Sequence, residues 1–394
     1  MPRNPDRDAL ITGIGLVSCL GAGIDAIWDS LQAFTPVVDA ETFKPLLVHP
    51  LAPLDLDKQI PKRGDQRQME TWQRMGVFAA GLALDSAGLK GNADLLSRTD
   101  MIVAAGGGER DYAVDATILS GYAKQADPGA WLNERLLGDL RPTLFLAQLS
   151  NLLAGNISIV HGVTGSSRTF MGEEASGADA VRIACARIAA GQGDIVLIGG
   201  SYNAQRPDVL LHCEMGGLLR HQPYAPIWAR QAQGGGMVLG SVGCFLIIES
   251  RASARARGVE AFAHIAGIRT DRCRRAPGDA TANARAQLAA LPGYAPGATA
   301  VISGASGAAA ITQEEAGLLK DLGLPVRAAA SAFGQSMEPA FPASLALAAL
   351  SVRRGNLFPP LEAAEAEMTG TLRQALVTGW GHWRGEALAV VEAA

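Results

Sequence analysis

Asp194-Ile195-Val196-Leu197-Ile198-Gly199-Gly200 is an unbroken apolar run closed by two glycines. A run of this length without polar alternation predicts a strand covered on both faces and ending in a glycine turn. Upstream, residues 175–190 carry Ala178, Val181, Ile183, Ala184 and Ile188, which predicts a helix. A strand buried on both faces and fed by a helix is the unit of a layered α/β fold.

The alternation extends in both directions. Toward the N-terminus, residues 9–17 predict a buried strand broken by Gly13 and Gly15. Residues 24–34 and 66–87 predict helices, the second with Met69, Trp72, Met75, Phe78, Ala79 and Leu82 on its apolar positions. Residues 101–105 predict a strand that enters Gly106-Gly107-Gly108. Residues 141–161 are apolar and rich in small side chains. Toward the C-terminus come a strand around Cys244–Ile248 and a charged helix over residues 251–257.

The order then restarts. A strand is predicted over 262–268, a helix over 281–291 and a strand over 298–303. Helices follow over 314–322 and 343–352, then closing strands over 375–378 and 388–391. The restart predicts two duplicated halves, residues 1–250 and 251–394. Residues 124–129 and 275–278 read as surface loops.

Composition narrows the function. The 394 residues are 48% hydrophobic and 18% charged, enough for a large core. The net charge of −4 gives no electrostatic footprint for nucleic acid. Cys19, Cys185, Cys213, Cys244 and Cys273 are widely spaced and form no C-x-x-C pair. Neither a disulfide framework nor a zinc site is predicted, and no other metal site. Residues 1–8 are polar and no apolar run reaches membrane-spanning length, so a cytoplasmic protein is expected.

Several stretches together resemble the elongating β-ketoacyl-ACP synthases. Ile11-Thr12-Gly13-Ile14-Gly15-Leu16-Val17-Ser18-Cys19-Leu20-Gly21 looks like V-I-T-G-x-G-x-V-S-P-L-G, with Cys19 in the place of Pro. Arg67-Gln68-Met69-Glu70 through Gly88-Leu89 looks like the helix that begins R-x-M-D-R and ends L-x-D-S-G-L. Ala154-Gly155-Asn156-Ile157-Ser158-Ile159 looks like A-G-N-x-x-I, and 194–200 like A-D-V-M-V-A-G-G. Residues 238–249 look like F-V-L-G-x-G-A-G-x-L-V-L-E, and 355–360 like the stretch ending V-P-P. The resemblance implies a thiolase fold, five layers α-β-α-β-α from two duplicated halves. It also implies acyl carrier protein as a partner, and a homodimer or a heterodimer with an active ketosynthase. Substrates would ride on the phosphopantetheine of the carrier, with no resident cofactor.

The family reaction loads an acyl group on a cysteine, decarboxylates malonyl-ACP and condenses the two. A thiolate at a helix N-terminus, two imidazoles and a supporting lysine carry it. The nucleophile window G-P-x-x-x-I-x-T-A-C-[ST]-S-G fits residues 165–177 without a gap and puts Glu174 at the cysteine, with Glu173 beside it. The H-G-T-[SG]-T motif falls on 303–307, putting Ser303 at the first histidine. K-S-x-x-G-H falls on 331–336, putting Ser331 at the lysine and Ser336 at the second histidine.

None of His49, His161, His212, His221, His264 and His382 falls at these positions. His161 reads as a core or interface residue. His382 sits in the glycine-rich gate, F-G-F-G-G in the family and Trp380-Gly381-His382-Trp383 here; it reads equally as a pocket residue or part of a packed loop. Cys185 reads as a small buried helix residue. Lys62, Arg63, Arg67 and Arg74 enter the helix that resembles the family's carrier-docking helix, and read equally as a docking face or an ordinary solvated surface.

Three roles stay open for Glu174: a plug in the former oxyanion site, a general base or acyl-accepting carboxylate, or a first-turn acid that only favours the helix dipole. Nothing in the sequence points to a catalytic partner for it. Chain-length factors offer a family precedent, since they lack the cysteine and pair with an active ketosynthase. They typically carry glutamine there. The 167–177 stretch also looks like ketosynthase homologues encoded with very-long-chain fatty acid genes. The sequence thus predicts a non-condensing partner subunit; the alternatives are an acyltransferase with altered catalytic residues or an acyl-ACP binding protein.

Overall fold

A computed structural model describes residues 4–140, 146–172 and 174–394. Its frame is β1 (Ala9–Ser18), β2 (Asp100–Ala104), β3 (Ser167–Phe170), β4 (Ile195–Tyr202), β5 (Val242–Ser250), β6 (Ala263–Asp271), β7 (Thr299–Ser303), β8 (Val326–Ala328), β9 (Gln374–Trp380) and β10 (Glu386–Glu392). They hydrogen-bond in the order β8-β7-β9-β10-β6-β1-β5-β4-β2-β3. The middle of that order is a short antiparallel contact, Leu10 opposite His264 and Ile11 opposite Ala263.

One topology repeats on either side of this contact. In each half the first strand pairs antiparallel with the fifth and the fifth antiparallel with the fourth. The fourth pairs parallel with the second, and the second parallel with the third. The helices repeat in step: α1 (Thr71–Ser86), α2 (Leu152–His161) and α3 (Glu174–Ala189), then α4 (Asp279–Ala289), α5 (Ala309–Leu322) and α6 (Ala340–Arg354). On this repeat we propose the division into residues 1–250 and 251–394 as two half-folds of one body.

Side-chain alternation fixes the layers. Along β4, Val196 and Ile198 join a central core, while Ile195 and Leu197 join an outer one. Along β9, Ala375 and Val377 face the same central core and Leu376 the opposite outer one. Successive strand residues point to opposite faces, so each half-sheet is covered on both sides. α3 and α6 fill the central layer with Val181, Ala184, Ile188, Leu345 and Leu347. α1 and α2 cover one outer face and α4 and α5 the other. The layer order is α-β-α-β-α, as expected. α6 is buried from Phe341 through Val352, which is why its sequence shows no polar face.

Three local readings change. The helix expected over 66–87 is two, Arg63–Gln68 and α1. Met69 is extended between them, and Glu70 and Gln73 form a reciprocal capping box that starts α1. Gly199-Gly200 does not turn, since β4 continues to Tyr202. A Cβ on Gly199 would stand 2.1 Å from the Cys244 carbonyl oxygen, and one on Gly200 2.3 Å from that of Ala104, so the glycines let neighbouring strands approach. The loop expected over 124–129 ends sooner, because Asp127 caps a helix that starts at Pro128. Among the described residues, no helix is long and apolar enough to cross a membrane.

Candidate active site

β3 leads through Met171-Gly172 into α3, whose first residue is Glu174. Glu173 lies outside the described residues. The loop between β9 and β10 packs on this helix start. A Cβ on Gly385, at φ +94°, would stand 2.8 Å from the Ala175 Cβ. This close approach brings His382 onto Glu174. The backbone N–H of His382 donates to Glu174 Oε1 at 3.1 Å, and His382 Nδ1 faces the same oxygen in a short contact. The two side chains are 8% and 1% exposed, which excludes water from the pair. Glu174 Oε2 and His382 Nε2 are buried without a hydrogen-bond partner among the described residues.

Burial acts to raise the Glu174 carboxyl, but the hydrogen bonds and charge of His382 outweigh it. The group therefore sits below its ordinary value. A carboxyl depressed in the fold contributes stability that is fully present above the unfolded value of about 4.3. That contribution is lost as pH falls through the folded value. Glu174→Gln is expected to remove this acid-side loss, read as a shallower fall in urea midpoint between pH 5 and pH 3 than in the parent protein. An identical fall in both would mean that Glu174 is not held ionised.

Glu174 lines a cavity of about 420 Å³ with Gly304, Gln335, Phe341, Thr378 and Trp380. Gly304 and Gln335 are the chain neighbours of Ser303 and Ser336, so the fold brings the three expected positions around one space. The serine side chains are not among its lining. Ser303 Oγ donates to Glu315 Oε1 at 2.7 Å, and Thr378 Oγ1 donates to the same oxygen at 2.5 Å. Burial pushes the Glu315 carboxyl up to about 7 against these bonds. Ser336 is fully buried, and its Oγ has no hydrogen-bond partner among the described residues. Ser331 Oγ accepts from the Ile227 amide at 2.9 Å, which ties it to the start of the short helix Ile227–Gln231.

The five thiols are held in their protonated form. Burial pushes all five thiols up: Cys19 and Cys185 to about 12, Cys213 and Cys273 to about 11, and Cys244 higher still. Cys213 is also raised by the Glu174 charge. It lines a second cavity of about 620 Å³ with Met171, Gly172, Tyr202, Met337 and Trp383. The thiolate is the nucleophilic form, so none of these cysteines is activated. Among the described residues, no group of three or more His, Cys, Asp or Glu is placed to hold a metal ion.

His161 is a core residue, with Nε2 against the Val77 carbonyl at 2.8 Å. His382 is the residue that the sequence leaves unassigned. It supplies a partner for Glu174 of which the sequence carries no sign. The signal available is a histidine flanked by Gly381 and Trp383 inside a gate motif, and its target lies 208 residues away.

A model of the family "Beta-ketoacyl synthase, N-terminal domain" matches residues 6–254. The 3-oxoacyl-[acyl-carrier-protein] synthase 2 of Vibrio cholerae is 23% identical over 273 residues, 66% of this chain and 62% of that protein. The chain thus spans a little under two thirds of the length of the curated relatives it matches. The ishigamide ketosynthase/chain length factor structure superposes with TM-score 0.78 at 19% identity, covering 98% of this chain and 99% of that one. A type II polyketide acyl carrier protein in complex with its ketosynthase bound to a hexaketide gives TM-score 0.71 at 18% identity over 100% of both chains. At these identities the likeness is one of fold.

Proposed function

This chain belongs to the β-ketoacyl synthase family, and from that premise we propose that it acts in fatty acid or polyketide elongation as a non-condensing, chain-length-factor-like partner of an active ketosynthase. The Glu174–His382 pair carries this reading. Condensation needs a thiolate at the start of α3, and a buried carboxylate stands there. The His382 amide, which an oxyanion could use, is taken by Glu174 Oε1. A fixed negative charge beside that amide opposes a developing oxyanion. The imidazole positions hold Ser303, committed to Glu315, and Ser336, sealed in the core.

The surface supports a partner. β3 is an edge strand whose Ser167 and Arg168 are exposed. Leu119, Leu137, Ile159 and Met171 are exposed apolar side chains. An open strand edge with exposed apolar groups favours association. Lys62, Arg63 and Arg67 are exposed at the entry to α1, where a basic face suits an acidic carrier protein. The polyketide neighbour is a complex of a carrier protein with its ketosynthase, and we extend that partner class to this chain. Acyl groups would arrive on the carrier's phosphopantetheine, with no resident cofactor, and the 620 Å³ cavity lined by Met171, Gly172 and Met337 offers them an apolar wall.

The test uses mass spectrometry and labelled malonyl-ACP, with the chain alone and co-purified with a cognate ketosynthase. Alone, it is expected to give no acyl adduct and no CO2. In the mixture, product length is expected to change from that of the synthase by itself. An acyl adduct or decarboxylation by the chain alone would overturn the reading. So would a stable homodimer that leaves the synthase's products unchanged.

A further inference from the structure

β4 ends at Tyr202, paired with Val242 of β5, and the Tyr202 ring packs on the outer core of Leu210, Cys213 and Met337. That packing sets the residue in the wall of the 620 Å³ cavity, beside the apolar groups Met171, Val209, Met337 and Trp383. Tyr202 is half-buried, and its Oη has no hydrogen-bond partner among the described residues. Unlike Glu174 Oε2 and His382 Nε2, which are sealed, this oxygen keeps accessible surface. A tyrosine hydroxyl drawn into a fold usually finds a partner. The charged neighbours on the same cavity have theirs: Arg110 pairs with Asp115 at 2.6 Å, and Arg206 with Asp208 at 2.5 Å. Burial, helped by Cys213 and Glu338, holds the Tyr202 phenol well above its ordinary value, so it stays neutral and can donate. The cavity therefore combines an apolar wall with one reachable phenol that the chain itself leaves unbonded.

We propose that Tyr202 selects acyl chains that carry an oxygen beyond the thioester, a 3-oxo or 3-hydroxy group, by donating a hydrogen bond to that oxygen inside the 620 Å³ cavity. That acyl thioesters enter the cavity rests on the reading given above; the oxygen on the chain is the added element. A saturated chain laid along Met171, Val209 and Met337 takes water from the phenol and returns no bond. A chain with an oxygen in reach replaces the lost bond, so the two differ by a full hydrogen bond to a desolvated group. The thioester carbonyl is common to every such substrate, so a donor for it alone would not discriminate. Carbon 3 is where elongation leaves an oxygen, as a ketone after condensation and as a hydroxyl after reduction. Tyr202 breaks and makes no covalent bond; it determines specificity. Such a subunit would hold a newly condensed or half-reduced chain in preference to a saturated primer.

The probes are octanoyl-, 3-oxooctanoyl- and 3-hydroxyoctanoyl-pantetheine, titrated calorimetrically into the purified full chain. The oxygenated probes are expected to bind about 10-fold or more tightly than octanoyl-pantetheine. Tyr202→Phe keeps the ring and removes the hydroxyl. It is expected to abolish this preference, while octanoyl-pantetheine binds the variant as tightly as the parent or more so. The urea midpoint of Tyr202→Phe is expected to match the parent's, because the hydroxyl makes no bond in the free chain, and this separates lost selection from lost fold. A preference for one oxygenated probe alone, lost in Tyr202→Phe, supports the inference and identifies the oxygen. Equal binding of all three probes, or a preference that survives in a folded Tyr202→Phe, overturns the inference and leaves the acyl-thioester reading standing. No binding of any probe overturns that reading, and the inference with it.

Discussion

Gly177→Ala is expected to lower the unfolding free energy by about 3 kcal/mol, while Gly155→Ala is expected to be neutral or to raise it by up to about 1 kcal/mol. Both are helical glycines, so backbone propensity favours both changes equally. Space separates them. At Gly177, in the first turn of α3, the new Cβ would stand 2.0 Å from the Glu338 carbonyl oxygen and 2.9 Å from Pro342 Cδ. Neither is the end of a flexible side chain, so relief requires α3 to move off the start of α6. That motion separates Glu174 from the segment of Ser336 and from the β9–β10 loop that carries His382. At Gly155, in α2, an added Cβ meets nothing within 4 Å. Urea unfolding followed by far-ultraviolet dichroism and by tryptophan fluorescence reads both. A Gly177→Ala protein within about 0.5 kcal/mol of the parent, less than the usual cost of overpacking, would mean that the two central helices do not meet this closely.

That contact also explains what the sequence can and cannot disclose. Strands buried on both faces announce themselves as apolar runs, so β4, β5, β7 and β9 are legible. β3, with Ser167, Arg168 and Thr169, is an edge strand with little to bury, and its composition carries no periodic signal. The helices Tyr112–Tyr122 and Pro128–Gly138 escape the pattern for a related reason, since between them only Ile118 is buried. At the site, motif spacing points to Glu174 at a helix start, and Glu174 is the first residue of α3. The partnership with His382 depends on a loop-to-helix packing between the two halves, which no local pattern encodes. The role of Ser303 is hidden in the same way. Its partner Glu315 reads in sequence as one polar residue of a helix, yet it is fully buried against Ser303 and Thr378.

That burial leads to the second large effect, a stability that declines as pH rises through neutrality. The Glu315 carboxyl sits at about 7 in the fold against an ordinary value of 4.5, because burial disfavours its charge more than the two hydroxyl donors favour it. Between those values the folded chain holds a proton that the unfolded chain has released. Stability contributed by this group is therefore fully present below the unfolded value and is lost as pH rises through the folded one, the reverse of Glu174. Each tenfold difference in proton affinity between folded and unfolded chain is worth about 1.4 kcal/mol, so the parent protein is expected to lose about 2 kcal/mol between pH 5 and pH 8 through Glu315. Glu315→Gln keeps an acceptor for Ser303 and Thr378 but does not titrate, so this loss should vanish. Comparing each protein with itself at the two pH values cancels any constant cost of the new amide. If parent and variant changed equally over this range, Glu315 would be ionised in the fold. The proton matters beyond stability. A neutral Glu315 adds no charge to those of Glu174, Asp179, Asp271 and Glu386, the acidic residues that line the cavity with Gly304 and Gln335. An ionised one would place a further carboxylate behind Ser303, one residue from that wall, and add to the negative charge that opposes a developing oxyanion.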